Sequence, residues 1–382
     1  MSAETRVETR VGVNLCWLVP GVVGGSEQAT VRTLEAIASR GPGRTELVLF
    51  CLPAFVDEYP QLASAFETHT APVSGRCKPL RVLAEYTWLP WMVRRSGVDL
   101  LHDAGGTSPG RVEVPRVLTI HDIQPLELPG NFPPVRVEYL RRTLPRAVAS
   151  ARRIVVPSEF VKGTVVEHLG ADPDNVSVVP WSRPLMRSDT PIDIVRARWG
   201  LTGPFAVLPA ITYHHKSHVT AVRAMDHLVG RHPHLRLVLA GGRGPAEQAV
   251  LDEIRRLGLE RQVVRTGRLP TSSMVSLIEA ADVLVFPSTY EGFGIPALEA
   301  MTVGTPVVVA DAGALREVVA DAGVVVPAHD DTQLAAAVHR ILVDPEHRAA
   351  LVAAGHRRSG DFDPERTAEG LLAAYRSAAA GR

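Results

Sequence analysis

The chain has 382 residues, 46% hydrophobic and 21% charged; such a composition excludes a disordered chain, and the length suits two domains better than one core. Its 41 Lys plus Arg are matched by 41 Asp plus Glu, so net charge gives no support to a nucleic-acid partner. Cys16, Cys51 and Cys77 stand too far apart for a C-x-x-C pair or a disulfide framework, which points to a reducing cytoplasm and to buried structural thiols.

Residues 1–10 are polar and charged, unlike a signal peptide, and no apolar run approaches the roughly 20 residues of a membrane span. Short apolar runs then alternate with helical patterns, as in parallel α/β proteins. Strands are expected near 11–18, 46–51, 100–102, 116–120, 154–156 and 176–179, with helices near 27–39, 81–95, 135–149 and 160–169. A second set of strands falls near 205–208, 235–240, 263–266, 283–286, 307–309 and 324–326, with helices such as 246–257 and 271–280. Residues 180–191 are proline-rich and close to mid-chain, and read as the linker. The expected layout is a first Rossmann-like domain over 1–183, a second over 184–364, and a C-terminal helix within 365–382 that crosses back onto the first domain. Two doubly wound sheets facing each other bind ligands at the carboxyl ends of their strands.

In the order of the chain, the first loop with chemistry is 20–27, PGVVGGSE. It lacks the G-x-G-x-x-G spacing, and no acid ends the second strand, which disfavours a nicotinamide dinucleotide. By itself the loop reads as a tight turn with Ser26 as N-cap. Between 76 and 95, Arg76, Lys78, Arg81, Arg94 and Arg95 mix with Tyr86, Trp88 and Trp91. Such a helix can lie at a membrane interface. Prolines at 79 and 90 interrupt a long amphipathic pattern, so a helix packed on its own domain is the preferred reading, with peripheral membrane contact kept open. A further basic run, Arg141, Arg142, Arg146, Arg152 and Arg153, reads as a solvated face. His121 and Asp122 follow a strand, and Lys216 follows another in the segment 209–218. A flexible cation at a strand's carboxyl end suits a departing diphosphate. Gly267 and Arg268 end a strand near 263–266.

The stretch 291–299, EGFGIPALE, is the most informative. Two carboxylates flank a glycine turn that enters a helix at about Pro296, after the run 283–286. Free amides and the positive helix end suit a phosphate. Glu291 and Glu299 then have hydroxyls to bind, as on a sugar and a ribose.

Taken together, the two-domain pattern and the run from Thr266 to Val326 resemble the retaining glycosyltransferases of family 4, with the GT-B fold: α/β, two doubly wound parallel-sheet domains facing across a cleft. Their E-x7-E motif is matched by Glu291 and Glu299. The resemblance implies that Glu291 holds hydroxyls of the transferred sugar and Glu299 those of the ribose. Backbone amides from Gly292 to Ile295, Phe293 and Gly294 included, would approach sugar and diphosphate, and Gly267 and Arg268 the base. It implies His121 at the reacting centre, with Gly24 and Gly25 near the donor phosphates and Lys216 on the diphosphate. Many members place an arginine six residues before this lysine; here that position is Ala210, and His214, His215 and Arg268 are the candidates to replace its charge. A metal is not expected, and the co-substrate is a nucleoside-diphosphate sugar. The implied reaction is transfer of a hexose, from GDP-mannose or a UDP-sugar, to a hydroxyl of a saccharide or glycolipid, in the cytoplasm or at the inner membrane face. A nucleotide-sugar epimerase of the same fold and a non-catalytic nucleotide-sugar binder are the rival readings.

Overall fold

The computed structural model describes residues 8–22, 24–41, 43–108, 110–184 and 190–380. Residues 185–189 of the expected linker and 1–7 of the polar start lie outside the described residues. The chain divides into two compact units, one of residues 1–182 with 363–382 and one of residues 183–362.

In the first unit the elements run β1 (Thr9–Asn14), α1 (Gly25–Ser39), β2 (Thr45–Cys51), α2 (Pro53–Glu58), α3 (Pro60–Ala65), β3 (Glu67–Thr70) and α4 (Lys78–Arg95). They continue with β4 (Leu100–Asp103), β5 (Arg116–Thr119), α5 (Gln124–Glu127), α6 (Pro134–Ser150), β6 (Arg153–Val156), α7 (Glu159–Leu169) and β7 (Val176–Val178). The sheet has the order β3-β2-β1-β4-β5-β6-β7, parallel throughout. Strand order reverses between β1 and β4, and there the loops after the two strands diverge and leave a crevice for a ligand.

Three local expectations change. β1 stops at Asn14 rather than Leu18, because the Asn14 side chain accepts a hydrogen bond from the Cys16 amide (3.1 Å) and turns the chain. Leu15 and Leu18 stay apolar because that turn is buried. The N-cap of α1 is Gly24, not Ser26, which lies inside the helix. α4 starts at Lys78 rather than near 81, with Pro79 in its first turn, where a missing N–H costs nothing, and runs through Pro90 to Arg95 as expected. Pro90 has no N–H for the Tyr86 carbonyl, and Gly110 passes over that carbonyl so closely that a Cβ would lie 3.3 Å from it. Cys16 and Cys51 are buried, whereas Cys77 is exposed just before α4.

The second unit comprises α8 (Ile192–Arg198), β8 (Phe205–Leu208), α9 (His218–Val229), β9 (Arg236–Leu239), α10 (Glu247–Leu257), β10 (Val263–Arg265) and α11 (Thr271–Glu279). After them come β11 (Val283–Phe286), α12 (Ile295–Val303), β12 (Val307–Ala310), α13 (Leu315–Val319), β13 (Val324–Val326), α14 (Asp331–Val343) and α15 (Pro345–Gly360). Its sheet has the order β10-β9-β8-β11-β12-β13, all parallel, with the reversal between β8 and β11. β8, β11 and β12 are buried on both faces, which is why they read as continuous apolar runs.

α16 (Pro364–Ala380) belongs to the first unit, where Ala368, Leu371, Ala374 and Tyr375 join the core around β1 and α1. Arg152 and Arg153, read from sequence as solvated, instead clamp this helix: Arg152 donates to the Ala378 carbonyl (3.2 Å) and Arg153 to the Ser377 hydroxyl (2.6 Å). Among the described residues no helix is long and apolar enough to cross a membrane.

Candidate active site

In the second unit the chemistry gathers at the reversal between β8 and β11. The loop after β8 is short and tightly held. Thr212 donates to Glu247 (2.9 Å) and accepts from the Gly244 amide (2.6 Å). The His215 carbonyl accepts from the Ser288 hydroxyl (3.0 Å) and the Thr289 amide (2.7 Å), both in the loop after β11. These bonds bring Lys216 against Glu291, Nζ to Oε1 2.5 Å, with Nζ also 5.1 Å above the Phe286 ring. Both side chains are mostly buried, at 19% and 13% exposure.

Glu291 is positioned by its backbone as well. Its carbonyl accepts from the Ala314 amide (2.9 Å). Gly313, in the loop after β12, lies so close that a Cβ there would sit 2.4 Å from the Glu291 carbonyl oxygen, at a φ of 57°. Only glycine allows that approach. Gly313 was missed from sequence; its signal was a glycine just past an apolar strand. Gly292, Phe293 and Gly294 are buried, and the Phe293 ring packs edge-on against Phe362 at 5.5 Å. The Phe293 side chain therefore serves the core, and its backbone is what a ligand would meet. Gly294 caps α12 at φ 111°, with no side-chain cap and no acid in the first turn. Such a helix end keeps its positive potential for an incoming anion. Ile295, one residue before the expected Pro296, opens the helix, and Glu299 lies half-buried just over a turn along it.

Gly267 and Arg268 follow β10, the edge strand, two strands from β8. Gly267 is at φ 69° and Arg268 is exposed. Ala210 abuts the loop after β9: a Cβ on Gly241 would lie 2.0 Å from its carbonyl oxygen. His215 does not replace the missing cation. Burial, followed by the Lys216 charge, pulls its pKa down to about 3, so the ring is neutral at pH 7. His214 is exposed.

The first unit contributes a separate group at its own reversal. His121 follows β5; its Nε2 lies 2.9 Å from the Ala104 carbonyl oxygen. A carbonyl only accepts, so Nε2 carries the proton and Nδ1 presents a lone pair. That Nδ1 is buried and makes no hydrogen bond to protein. Burial lowers the His121 pKa to about 4, which keeps the ring neutral. Trp17 and Trp181 flank it at ring distances of 5.4 and 5.6 Å. Trp17 in turn lies where a Cβ on Gly105 would be (2.3 Å). Neither tryptophan was singled out from sequence, because they come from separate loops. Asp122 accepts from the Gln124 amide (3.0 Å) and shapes the turn into α5.

Gly24 and Gly25 are exposed at the start of α1. The buried Glu27 in that first turn accepts from the Gly21 amide (2.9 and 3.0 Å) and from the Tyr59 hydroxyl (2.8 Å). α1 thus carries its own anion, in contrast to α12.

Family models match both units: "Glycosyltransferase Family 4" over residues 23–181 and "Glycosyl transferases group 1" over residues 197–358. Among curated relatives, O-antigen chain mannosyltransferase B of Escherichia coli is 28% identical over 87% of this chain and 90% of its own length. The D-inositol 3-phosphate glycosyltransferase of Acidothermus cellulolyticus is 32% identical over 73% of this chain and 66% of its own; this chain thus spans just under two thirds of that relative. Among solved structures, Anabaena Alr3699/HepE in complex with UDP and glucose has a TM-score of 0.74 at 20% identity, covering 97% of this chain and 100% of that one. Sucrose-phosphate synthase from Thermosynechococcus elongatus has a TM-score of 0.77 at 20% identity, covering 98% and 100%. The two parallel sheets are those of the GT-B fold, and the chain belongs to the glycosyltransferases of the family 4, group 1 type.

Proposed function

We propose that the chain is a retaining hexosyltransferase that moves a hexose from a nucleoside-diphosphate sugar to a hydroxyl of a saccharide or glycolipid. One observation carries the reading. At the sheet reversal of the second unit, a lysine and a glutamate in contact stand in the loops after β8 and β11, and the helix that follows β11 has no acid in its first turn. A cation with an open helix end suits a diphosphate, and the carboxylate suits sugar hydroxyls.

In the reaction the bond from the anomeric carbon to the diphosphate oxygen breaks, and its electron pair leaves with the diphosphate. The acceptor oxygen bonds to that carbon on the same face, and its proton passes to the departing phosphate. Charge separates, positive on the sugar and negative on the diphosphate. Lys216 and the amides that lead into α12, those of Phe293, Gly294 and Ile295, stabilise the negative side. Glu291 holds the sugar, Glu299 the ribose, and His121 accepts a hydrogen bond from a sugar hydroxyl through Nδ1. Gly24, Gly25, Gly267 and Arg268 are assigned to the donor by proposal alone. The mannosyltransferase among the relatives supports mannose as the first sugar to try; GDP-mannose and UDP-sugars are both retained.

A thermal-shift panel of nucleoside diphosphates and their sugars tests donor binding, since a ligand of the native state raises the melting point with its affinity. NMR of the product then reads the anomeric configuration. No shift with any nucleotide, or an inverted product, would sink the proposal. Turnover of donor to a new sugar without acceptor would favour an epimerase instead.

A further inference from the structure

His102, Thr119 and Tyr375 carry polar groups deep in the first unit and take no part in the transfer step. His102 lies in β4, two residues before Ala104. Thr119 ends the neighbouring strand β5, two residues before His121. Side chains two apart along a strand point the same way, and His102, Ala104, Thr119 and His121 all line one cavity. Two hydrogen bonds tie the strand ends together on that side. His102 Nε2 lies 2.7 Å from the Thr119 hydroxyl oxygen, and His121 Nε2 donates to the Ala104 carbonyl at 2.9 Å. The remaining ring nitrogen of His102, Nδ1, lies 2.8 Å from the hydroxyl oxygen of Tyr375, on α16.

Both buried partners are neutral at pH 7. Burial, followed by the nearby His121, pulls the His102 pKa down to about 3, and burial pushes the Tyr375 hydroxyl up. A neutral imidazole has one donor and one acceptor nitrogen. The hydrogen bonds from Tyr375 through His102 to Thr119 therefore all run one way, and loss of the Tyr375 hydroxyl leaves a buried nitrogen without a partner. Packing alone does not hold these rings. The cavity beside them measures about 50 Å³, several times the roughly 10–15 Å³ that one water needs. Its other walls are largely apolar, with Leu34 from α1 and Leu371 from α16 among them. A close-packed interior fixes each ring by contact; beside a void, hydrogen bonds must do so.

We propose that Tyr375 is a positioning residue for His121. Through His102 it fixes the ends of β4 and β5, and with them the Ala104 carbonyl that sets which nitrogen of His121 is free to accept. α16 is then a working part of the first unit's site as well as a cover for its sheet. A purely structural hydrogen bond would behave otherwise: its loss would lower stability and leave the His121 ring where it is. The effect on catalysis rests on the role proposed for His121 in transfer; the placement of the ring does not.

The test uses the whole chain with Tyr375→Phe, which removes only the hydroxyl, and Thr119→Val, which cuts the same chain of bonds at its far end. Leu371→Ala is the control, since Leu371 lines the same cavity one turn away on α16. Imidazole proton–nitrogen correlation spectra of histidine-labelled protein, assigned with His121→Asn, read the His121 tautomer and need neither donor nor acceptor. In Tyr375→Phe and Thr119→Val the two His121 nitrogen resonances should move towards each other, as the single Nε2–H form gives way to a mixture. Leu371→Ala should leave them in place. Both hydrogen-bond variants should lower kcat about 10-fold or more, with donor KM within about 2-fold. Unchanged His121 resonances in both variants, or an equal change in Leu371→Ala, would overturn the proposal. Shifted resonances with wild-type kcat would uphold the positioning and instead remove His121 from the reaction.

Discussion

Lys216 and Glu291 depend on each other. In a largely buried pair, removal of one charge leaves the other without a partner, which costs more than the pair contributes. Lys216→Ala and Glu291→Ala should each lower the melting point. The double variant should recover part of that loss while transfer stays down by at least ~100-fold. Melting curves and kcat/KM for all four proteins check this, and a double variant with restored transfer would refute the role in donor handling. His121 behaves differently. Its pKa near 4 keeps it neutral, so its ionisation should leave no inflection in kcat/KM between about pH 6 and 8. His121→Asn should still cut transfer by ~100-fold. A wild-type inflection near neutrality that this variant abolishes would contradict the neutral-acceptor role. The sequence made all three residues visible by their place after strands. The tautomer of His121 was not visible, because the Ala104 carbonyl that sets it lies in the loop after another strand, β4.

At the scale of elements, legibility followed burial. β8 and β11 matched their expected ranges residue for residue, because buried parallel strands are apolar runs with clear ends. β3 has the polar sequence Glu67-Thr-His-Thr70 and forms the sheet edge, where half-exposed residues give no apolar signal. The start of α4 at Lys78 was also hidden, since Pro79 reads as a break in the sequence although it suits a helix's first turn. The loop after β12 holds Glu291 through Gly313. Gly313→Ala should therefore force the two loops apart, with a stability loss of about 1–3 kcal/mol and reduced transfer. Gly130→Ala, with nothing within 4 Å of the added Cβ, should stay within ~0.5 kcal/mol. Urea melts of both variants decide, and equal effects would show that the contact with Glu291 is unimportant.

For the whole molecule, buried histidines set the acid limit. Burial lowers His102 and His215 to about 3, and His121 and His218 to about 4, from 6.5. Their folded pKa values lie below the unfolded one, so the unfolded chain binds more protons as pH falls through 6.5, and stability is lost on the way to about 4. Glu85 acts the other way. Burial raises it to about 7 from 4.5, so its contribution is present at low pH and fades as pH rises towards 7. Four histidines outweigh one glutamate, and the melting point should fall steadily between about pH 6.5 and 4.5. A flat or rising profile would show that these rings are not buried neutral in solution. The sequence by itself determined the α/β class, the family resemblance and the residues at strand ends, because buried parallel strands and glycine turns leave local marks in the chain. Only the tertiary structure decided that Lys216 faces Glu291, that Gly313 and Ala104 position the site, and that Tyr375 of α16 meets His102. Those relations join residues from 17 to 273 positions apart, and no local pattern carries that information.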